Sequence, residues 1–370
     1  MTKLKELYDT YGQSPWLDNL RRDWLANGEM ARWIERGVRG VTSNPSIFHK
    51  AMTTGDAYDD QFVALIQEGR SVTEAFWAMA ITDIKEALSM FSPLHESSGG
   101  TDGFVSLELA PDQARDTAAS IDSARDLAQR ITEPNLLIKV PATKEGLPVI
   151  RTLVSEGHSL NVTLIFGLTR YQEVIEAYIS GLEDRLAKGH DDLSDIKGVA
   201  SFFVSRVDTE IDRRLEAIGA PEALALRGKA AVAQSKLAYG LYQQAFSGPR
   251  WSALVAHGAH VQRPLWASTS TKNPEYLPTL YVDSLIGASS VNTMPEATLE
   301  TFENTGTAAL TLENDVVDSQ RIMNELNGIG IDMADVSAVL EDEGVAAFVK
   351  AFDELIEALE IKANTIPARS

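Results

Sequence analysis

Short apolar or alternating runs recur along the chain at 38–42, 104–109, 135–140, 159–166, 199–204, 264–268 and 280–286, with a weaker one near Ser14–Leu17. Between them lie longer segments whose apolar residues return at helical spacing, notably 59–91, 111–132, 145–157, 168–187, 205–246 and 249–259. Runs of period two alternating with stretches of period 3.6 predict βαβ units, and therefore a parallel sheet of the α/β class. With the weaker run there are eight strands, the number that closes a (β/α)8 barrel, whose functional groups gather at the C-terminal ends of its strands. A doubly wound open sheet is the alternative, and it usually carries a glycine-rich first turn. Gly328-Ile329-Gly330 lacks the third glycine and follows a helix-like run. Ser92–Gly103, with Pro93, Ser97, Ser98, Gly99 and Gly100, reads as a long loop inserted before a strand. From 295 the chain becomes helical and acidic and ends in an amphipathic run, Val336 to Ile361, expected to cross the barrel's exterior or its mouth. The reading is one barrel domain over 1–370 with a helical C-terminal segment from about 295 to 370.

Successive side chains of a strand point to opposite faces, which turns this pattern into chemistry. Over 104–109, Phe104, Ser106 and Glu108 share one face, against Val105, Leu107 and Leu109. Over 159–166, Ser159, Asn161, Thr163 and Ile165 oppose Leu160, Val162, Leu164 and Phe166; over 199–204, Ser201 and Phe203 oppose Ala200, Phe202 and Val204. In Asn135–Pro141, Leu136, Ile138 and Val140 face one layer and Asn135, Leu137 and Lys139 the other. A purely structural barrel interior holds branched apolar side chains. Glu108, Lys139, Asn161, Thr163 and Ser201 instead bring a carboxylate, an amine, an amide and two hydroxyls toward one axis. Lys139 is the most informative of these. An ammonium is costly to bury unpaired, and a fall in pKa from about 10.4 to about 7–8 would free the neutral amine to attack carbonyls. A lysine snorkelling from a strand end is the other reading of the same position.

Composition narrows the classes. The chain has no cysteine, which excludes disulfides, thiolate chemistry and cysteine-ligated metals and is compatible with a cytoplasmic location. A formal net charge of −20 is the wrong sign for a nucleic-acid backbone binder, so any phosphate must be met by a local basic pocket. Arg206, just past the 199–204 run, and Lys272, after Ser268-Thr269-Ser270-Thr271, suit that task, although salt-bridge or surface duty is the default for each alone. No stretch approaches 18 apolar residues, and Met1–Thr10 alternates Lys, Glu and Leu, so neither membrane insertion nor export is expected. Of six histidines only His257 and His260 are closely spaced, and no metal site is expected.

Two further motifs remain. Thr42-Ser43-Asn44-Pro45-Ser46 ends a strand and opens a helix, where Asn44 is a good N-cap and Pro45 a good first helical residue. Asp18 precedes a helix-like run to Glu35 and is either a cap or a buried acid–base carboxylate. In order along the chain, Thr-Ser-Asn-Pro-Ser (42–46), Ser-Leu-Glu-Leu (106–109), Leu-Ile-Lys-Val-Pro-Ala-Thr (137–143), Asn-Val-Thr-Leu-Ile-Phe (161–166) and Ser-Phe-Phe-Val-Ser-Arg-Val-Asp (201–208) resemble the transaldolase family, in its longer bacterial form. The motifs span residues 18–273.

The resemblance implies a TIM barrel running a class I aldolase mechanism without metal or other cofactor. It implies Lys139 as the Schiff-base lysine and Asp18 as the acid–base group, with Glu108 and Thr163 holding the water used in imine chemistry. Asn44, Asn161 and Ser201 would position a dihydroxyacetone unit, Phe203 would line the pocket, and Arg206, Ser270 and Lys272 would meet the phosphate. The implied reaction transfers that unit from sedoheptulose 7-phosphate or fructose 6-phosphate to glyceraldehyde 3-phosphate or erythrose 4-phosphate, in the cytoplasmic, non-oxidative pentose phosphate pathway. Lys272 departs from the many members with arginine there, keeping the charge but losing the two-pronged fork. A fructose-6-phosphate aldolase releasing free dihydroxyacetone and a non-catalytic phosphosugar-binding barrel are the alternatives. Expected partners are sugar phosphates, not nucleic acid or membranes, with the chain as monomer or homodimer.

Overall fold

Eight strands pair in chain order: β1 (Gln13–Leu17), β2 (Gly40–Thr42), β3 (Phe104–Glu108), β4 (Leu136–Pro141), β5 (Leu160–Ile165), β6 (Gly198–Phe203), β7 (Gln262–Ala267) and β8 (Ser290–Met294). Every pairing is parallel, and β8 returns to β1 over five residues, Gln13↔Ser290 to Leu17↔Met294, to close the barrel. This computed structural model describes residues 1–366, so the last positions of the expected C-terminal segment, 367–370, lie outside the described residues. Among the described residues, no helix is long and apolar enough to cross a membrane.

Three expectations from the sequence are corrected. The run 280–286 is not a strand: Leu280–Asp283 is a short helix, and the eighth strand is Ser290–Met294. Tyr281, Val282, Leu285 and Ile286 are the buried positions, at one-and-four spacing that fits a helical turn better than alternation. Ser92–Gly103 is not wholly a loop, because the helix Val72–Ser97 runs through Pro93. Tertiary packing overrides the breaker there: Phe91 is fully buried, and His95 meets Phe104 edge to face with centroids 5.1 Å apart and bonds the Asp102 carbonyl at 2.8 Å. The helical stretch 205–246 divides into Ser205–Ile218, Pro221–Leu224 and Ala230–Ala245, broken where Gly219 and Gly228 take positive φ.

Inside the barrel the filling changes character along the axis. At the N-terminal end the buried Asp102 carboxylate accepts from Arg39 Nε at 2.7 Å, from Trp16 Nε1 at 3.1 Å and from the Ser14 hydroxyl, with Arg263 Nη2 at 3.6 Å. Two arginines and two further donors compensate the desolvation of that one charge. Above it lie the rings of Trp16 and Phe104, 6.3 Å apart. Toward the C-terminal end the interior turns polar through Ser106, Asn161, Ser201 and Lys139, all buried.

The helix Met333–Ala363 packs against the helices Pro45–Thr53 and Ser205–Ile218 and against β5, which puts it over the mouth, one of the two places expected. Its buried stripe, Val336, Leu340, Gly344, Phe348, Ala351, Leu355 and Leu359, recurs every three or four residues. Its acids reach the surrounding elements: Asp335 pairs with Arg214 at 2.6 Å, Glu341 with Arg170 at 3.2 Å, and Asp342 with Arg115.

Gly40 lies against Trp16 so closely that a Cβ there would sit 2.6–2.8 Å from the indole ring. Since Trp16 is fully buried and hydrogen-bonded, Gly40→Ala is expected to destabilise the barrel by about 1–3 kcal/mol, read as a lowered midpoint in thermal or urea unfolding. An unchanged midpoint would show that the ring moves at no cost.

Candidate active site

Strand register sets the first contacts. Glu108 on β3 lies opposite Lys139 on β4, and Lys139 lies opposite Asn161 on β5. The Lys139 side chain is buried, and its Nζ donates to the Ser43 carbonyl at 2.8 Å and to Glu108 Oε2 at 3.2 Å. The ring of Phe348, from the helix over the mouth, stands 6.0 Å from the amine. Lys139 therefore points into the barrel and does not snorkel to bulk solvent. Burial pushes the Glu108 carboxyl above its usual range, the adjoining Lys139 charge opposes this, and the charge of Asp18 reinforces it.

Asp18 follows β1, where its backbone N–H bonds the Met294 carbonyl at 2.8 Å. Its Oδ1 accepts from Thr42 Oγ1 at 2.6 Å, and Thr42 Oγ1 is 2.7 Å from Thr293 Oγ1. A hydroxyl has one proton to give, so Thr42 donates to Asp18 and accepts from Thr293. Burial raises the Asp18 carboxyl above its ordinary range; the Thr42 bond is the largest opposing effect, followed by the charges of Lys139, Arg206 and Lys272. Asp18 is thus no helix cap but a carboxyl facing three cations across a pocket.

That pocket, about 200 Å3, is lined by Asp18, Thr42, Asn44, Lys139, Thr163, Ser201, Phe203, Arg206, Ser270, Lys272 and Phe348 among others. Two of the residues expected at the site sit just behind the lining. Glu108 is the amine's partner, and Asn161 is fully buried, accepting from Ser201 Oγ at 2.7 Å and donating to Ser106 Oγ at 3.1 Å. Asn44 is the helix cap expected of it, and it also lines the pocket. Its Oδ1 caps the helix Pro45–Thr53 by accepting from Ile47 N at 3.0 Å, which leaves its amide nitrogen to offer to the pocket. Thr163 Oγ1 is buried without a hydrogen-bond partner, so it can engage a water or substrate oxygen at little cost. At the rim Arg206 stacks over Phe203, 5.4 Å from the ring centroid, and Lys272 Nζ donates to Ser270 Oγ at 2.7 Å. A nucleophilic amine, a shielded carboxyl and two cations around one small cavity form a set suited to imine chemistry on an anionic carbonyl compound.

A family profile described as Transaldolase/Fructose-6-phosphate aldolase matches residues 15–359. The chain belongs to that family. It is 48% identical over 366 residues, 98% of this chain and 99% of the relative, to a protein named transaldolase from Thermobifida fusca (strain YX). It is 49% identical over 351 residues, 94% of each chain, to one of the same name from Mycolicibacterium smegmatis, and 47% identical over 358 residues, 96% of this chain and 95% of the relative, to another from Mycobacterium leprae (strain Br4923).

Several contributors to this candidate site were not legible in the sequence. Thr42 and Ser43 lie in the quoted motif beside Asn44, yet nothing there showed that one hydroxyl bonds Asp18 or that a main-chain carbonyl receives the Lys139 amine. Thr293 is out of reach because Ser290–Met294 has no apolar run to mark it as a strand. Phe348 looks like any apolar position of an amphipathic helix, and only tertiary structure brings it to the amine. The alternation expected along 159–166 also breaks: β5 shifts register against β6 between Val162 and Ile165, and Leu164 takes φ 60°. Beyond the bulge Leu164 lines a small cavity with Glu108 and Phe348, and Phe166 lies 5.1 Å from Phe203, while Thr163, just before it, keeps its expected place facing the pocket. Two much larger cavities, about 640 and 590 Å3, share Lys197 and His260 and lie at the opposite end of the barrel, away from Lys139.

The Thr42 bond supports the ionised form of Asp18, so its loss raises the carboxyl's pKa further. A base works above its pKa. In Thr42→Val the acidic limb of the pH–activity profile is therefore expected to move to higher pH, and a limb that stays in place or moves the other way would remove the bond from Asp18's control.

Proposed function

We propose that the protein is a transaldolase, moving a dihydroxyacetone unit between sugar phosphates through a Schiff base on Lys139. The observation that carries this reading is the buried Lys139 amine, held between the Ser43 carbonyl and Glu108 in a pocket that also holds Asp18. The Lys139 amine adds to the C2 carbonyl of a ketose phosphate, sedoheptulose 7-phosphate or fructose 6-phosphate. The carbinolamine loses water to give a protonated imine, with Glu108 and Thr163 handling the water and its proton. Asp18 then takes the C4 hydroxyl proton, the C3–C4 bond breaks, and its electron pair flows into the iminium to leave an enamine. An aldose phosphate departs. The enamine attacks the aldehyde of the acceptor, glyceraldehyde 3-phosphate or erythrose 4-phosphate, Asp18 returns the proton to the new alkoxide, and water hydrolyses the imine.

Asn44 and Ser201, the latter oriented by Asn161, hold the hydroxyls of the three-carbon unit, and Phe203 with Phe348 keeps bulk water from the enamine. Arg206, Ser270 and Lys272 receive the phosphate. Burial pulls the Arg206 guanidinium below its usual range, and the charges of Glu343 and Asp18 oppose that pull. A cytoplasmic location belongs to the same reading and agrees with the absence of cysteine. The aldolase branch of the family differs by needing no acceptor. Product formation from fructose 6-phosphate at the same rate with and without erythrose 4-phosphate would place the chain there.

Borohydride is expected to trap a dihydroxyacetone adduct on the native protein and none on Lys139→Ala or Lys139→Arg; an adduct retained in either variant moves the nucleophile elsewhere. Lys272→Ala is expected to raise KM for phosphorylated substrates about tenfold with kcat nearly kept, as for the loss of one charge-assisted contact. Unchanged KM would take Lys272 out of the phosphate site.

A further inference from the structure

The segment between β7 and the helix Leu280–Asp283 carries Ser270 and Lys272 but forms no helix or strand, and Lys272, Pro274, Glu275, Leu277 and Pro278 are exposed. A cavity of about 240 Å3, lined by Thr209, Asp212, Lys272 and Tyr276 among others, separates it from the helix Ser205–Ile218. Continuous packing therefore does not hold it in place, and polar attachments do. Near its start Ser268, at φ 56°, accepts from Ser205 N at 2.9 Å, and the two serine hydroxyls are 2.9 Å apart. Near its end the Tyr276 hydroxyl donates to Asp212 Oδ2 at 2.6 Å, and beyond it the Tyr281 hydroxyl donates to Asp208 Oδ2 at 2.9 Å.

Asp208 and Asp212 are one turn apart on the helix that begins at Ser205 and carries Arg206, so both face the same way. The second oxygen of each receives a backbone N–H from the broken stretch that follows: Ala231 N to Asp208 Oδ1 at 2.8 Å, and Gly228 N to Asp212 Oδ1 at 2.9 Å. Gly228 has φ +70°, and a Cβ on it would lie 2.7–3.0 Å from the Tyr276 ring. Among the described residues neither acid forms an ion pair with a lysine or arginine. Burial, opposed by the hydrogen bonds of Ala231 and Tyr281, pushes the Asp208 carboxyl up to about 7. A carboxyl kept buried without a cation is costly, and here it joins three segments whose relative placement sets the rim of the pocket.

Resting on the transaldolase reading, we infer that Asp208 and Asp212 are positioning residues for phosphate recognition. Through Tyr281 and Tyr276 they hold the Ser270–Lys272 segment at a fixed spacing from Arg206, so that both cations meet one phosphate of the sugar. Loosening the clamp leaves the Lys139 chemistry intact and weakens only the grip on the phosphate.

The test compares native protein with Tyr276→Phe, Gly228→Ala, Lys272→Ala and the Tyr276→Phe/Lys272→Ala double variant. Three readouts apply: steady-state kinetics with fructose 6-phosphate, transfer to unphosphorylated glyceraldehyde, and borohydride trapping of dihydroxyacetone. Tyr276→Phe and Gly228→Ala are expected to raise KM for the phosphorylated donor about threefold to tenfold with kcat within about twofold, and to leave trapping and the apparent KM for glyceraldehyde unchanged. In the double variant KM should be no worse than in Lys272→Ala alone, since the tyrosine acts through the lysine. A native KM in both Tyr276→Phe and Gly228→Ala, a double-variant effect equal to the product of the singles, or parallel loss of kcat and trapping would overturn the positioning role. If the native protein traps no adduct, the transaldolase reading itself falls and this role with it; if it traps the adduct while the variants keep native KM, only the positioning role falls.

Discussion

A lysine amine inside a barrel must be met by acceptors or left unpaired at a cost of several kcal/mol, and the site is arranged around meeting it at Lys139. The two acceptors come from different strands: the Ser43 carbonyl just past β2, and Glu108 at the end of β3. Ser43 is itself anchored, because its hydroxyl donates to the Ser106 carbonyl at 2.8 Å. Three neighbouring strands thus converge on one nitrogen. An ammonium offers three protons and a protonated imine one, so the proposed Schiff base would release one of these acceptors. Under that proposal Glu108, with the unpartnered Thr163 hydroxyl on the far side of β4, is the one that would turn to a water.

The barrel interior divides its polar groups by function. At the N-terminal end the charge of Asp102 is closed off by two arginines, a serine and a tryptophan. At the C-terminal end the polar groups are only partly satisfied by one another: Thr163 has a free hydroxyl, and Asn44 has spent its oxygen but not its nitrogen.

How much of this could be read beforehand follows from what each signal depends on. β3, β4 and β6 were legible because an alternating pattern with polar inward residues is local information, and it put Glu108, Lys139 and Ser201 on the axis correctly. β8 was not, since Ser290-Val291-Asn292-Thr293-Met294 has no apolar run to announce it, while the neighbouring 280–286 does. Pro93 and the glycines after it carry the composition of a loop, yet contacts of Phe91 and His95 with the barrel keep the helix going to Ser97. The bulge at Leu164 has no glycine to mark it. Thr42, the Ser43 carbonyl and Phe348 acquire roles only when distant segments meet, which no spacing rule records.

Phe348 belongs to a helix that starts 39 residues after the last barrel strand ends, at Met333 against Met294. On the ribosome all eight strands are therefore made before the roof over Lys139 exists. The eight strands close their ring of backbone hydrogen bonds without any residue of that helix, whereas the only aromatic ring found over the Lys139 amine among the described residues is supplied by it. The ion pairs from Arg115, Arg170 and Arg214 tie that helix to the elements around the mouth, so the cover of the amine is added by a segment that lies in the chain wholly after the barrel it closes.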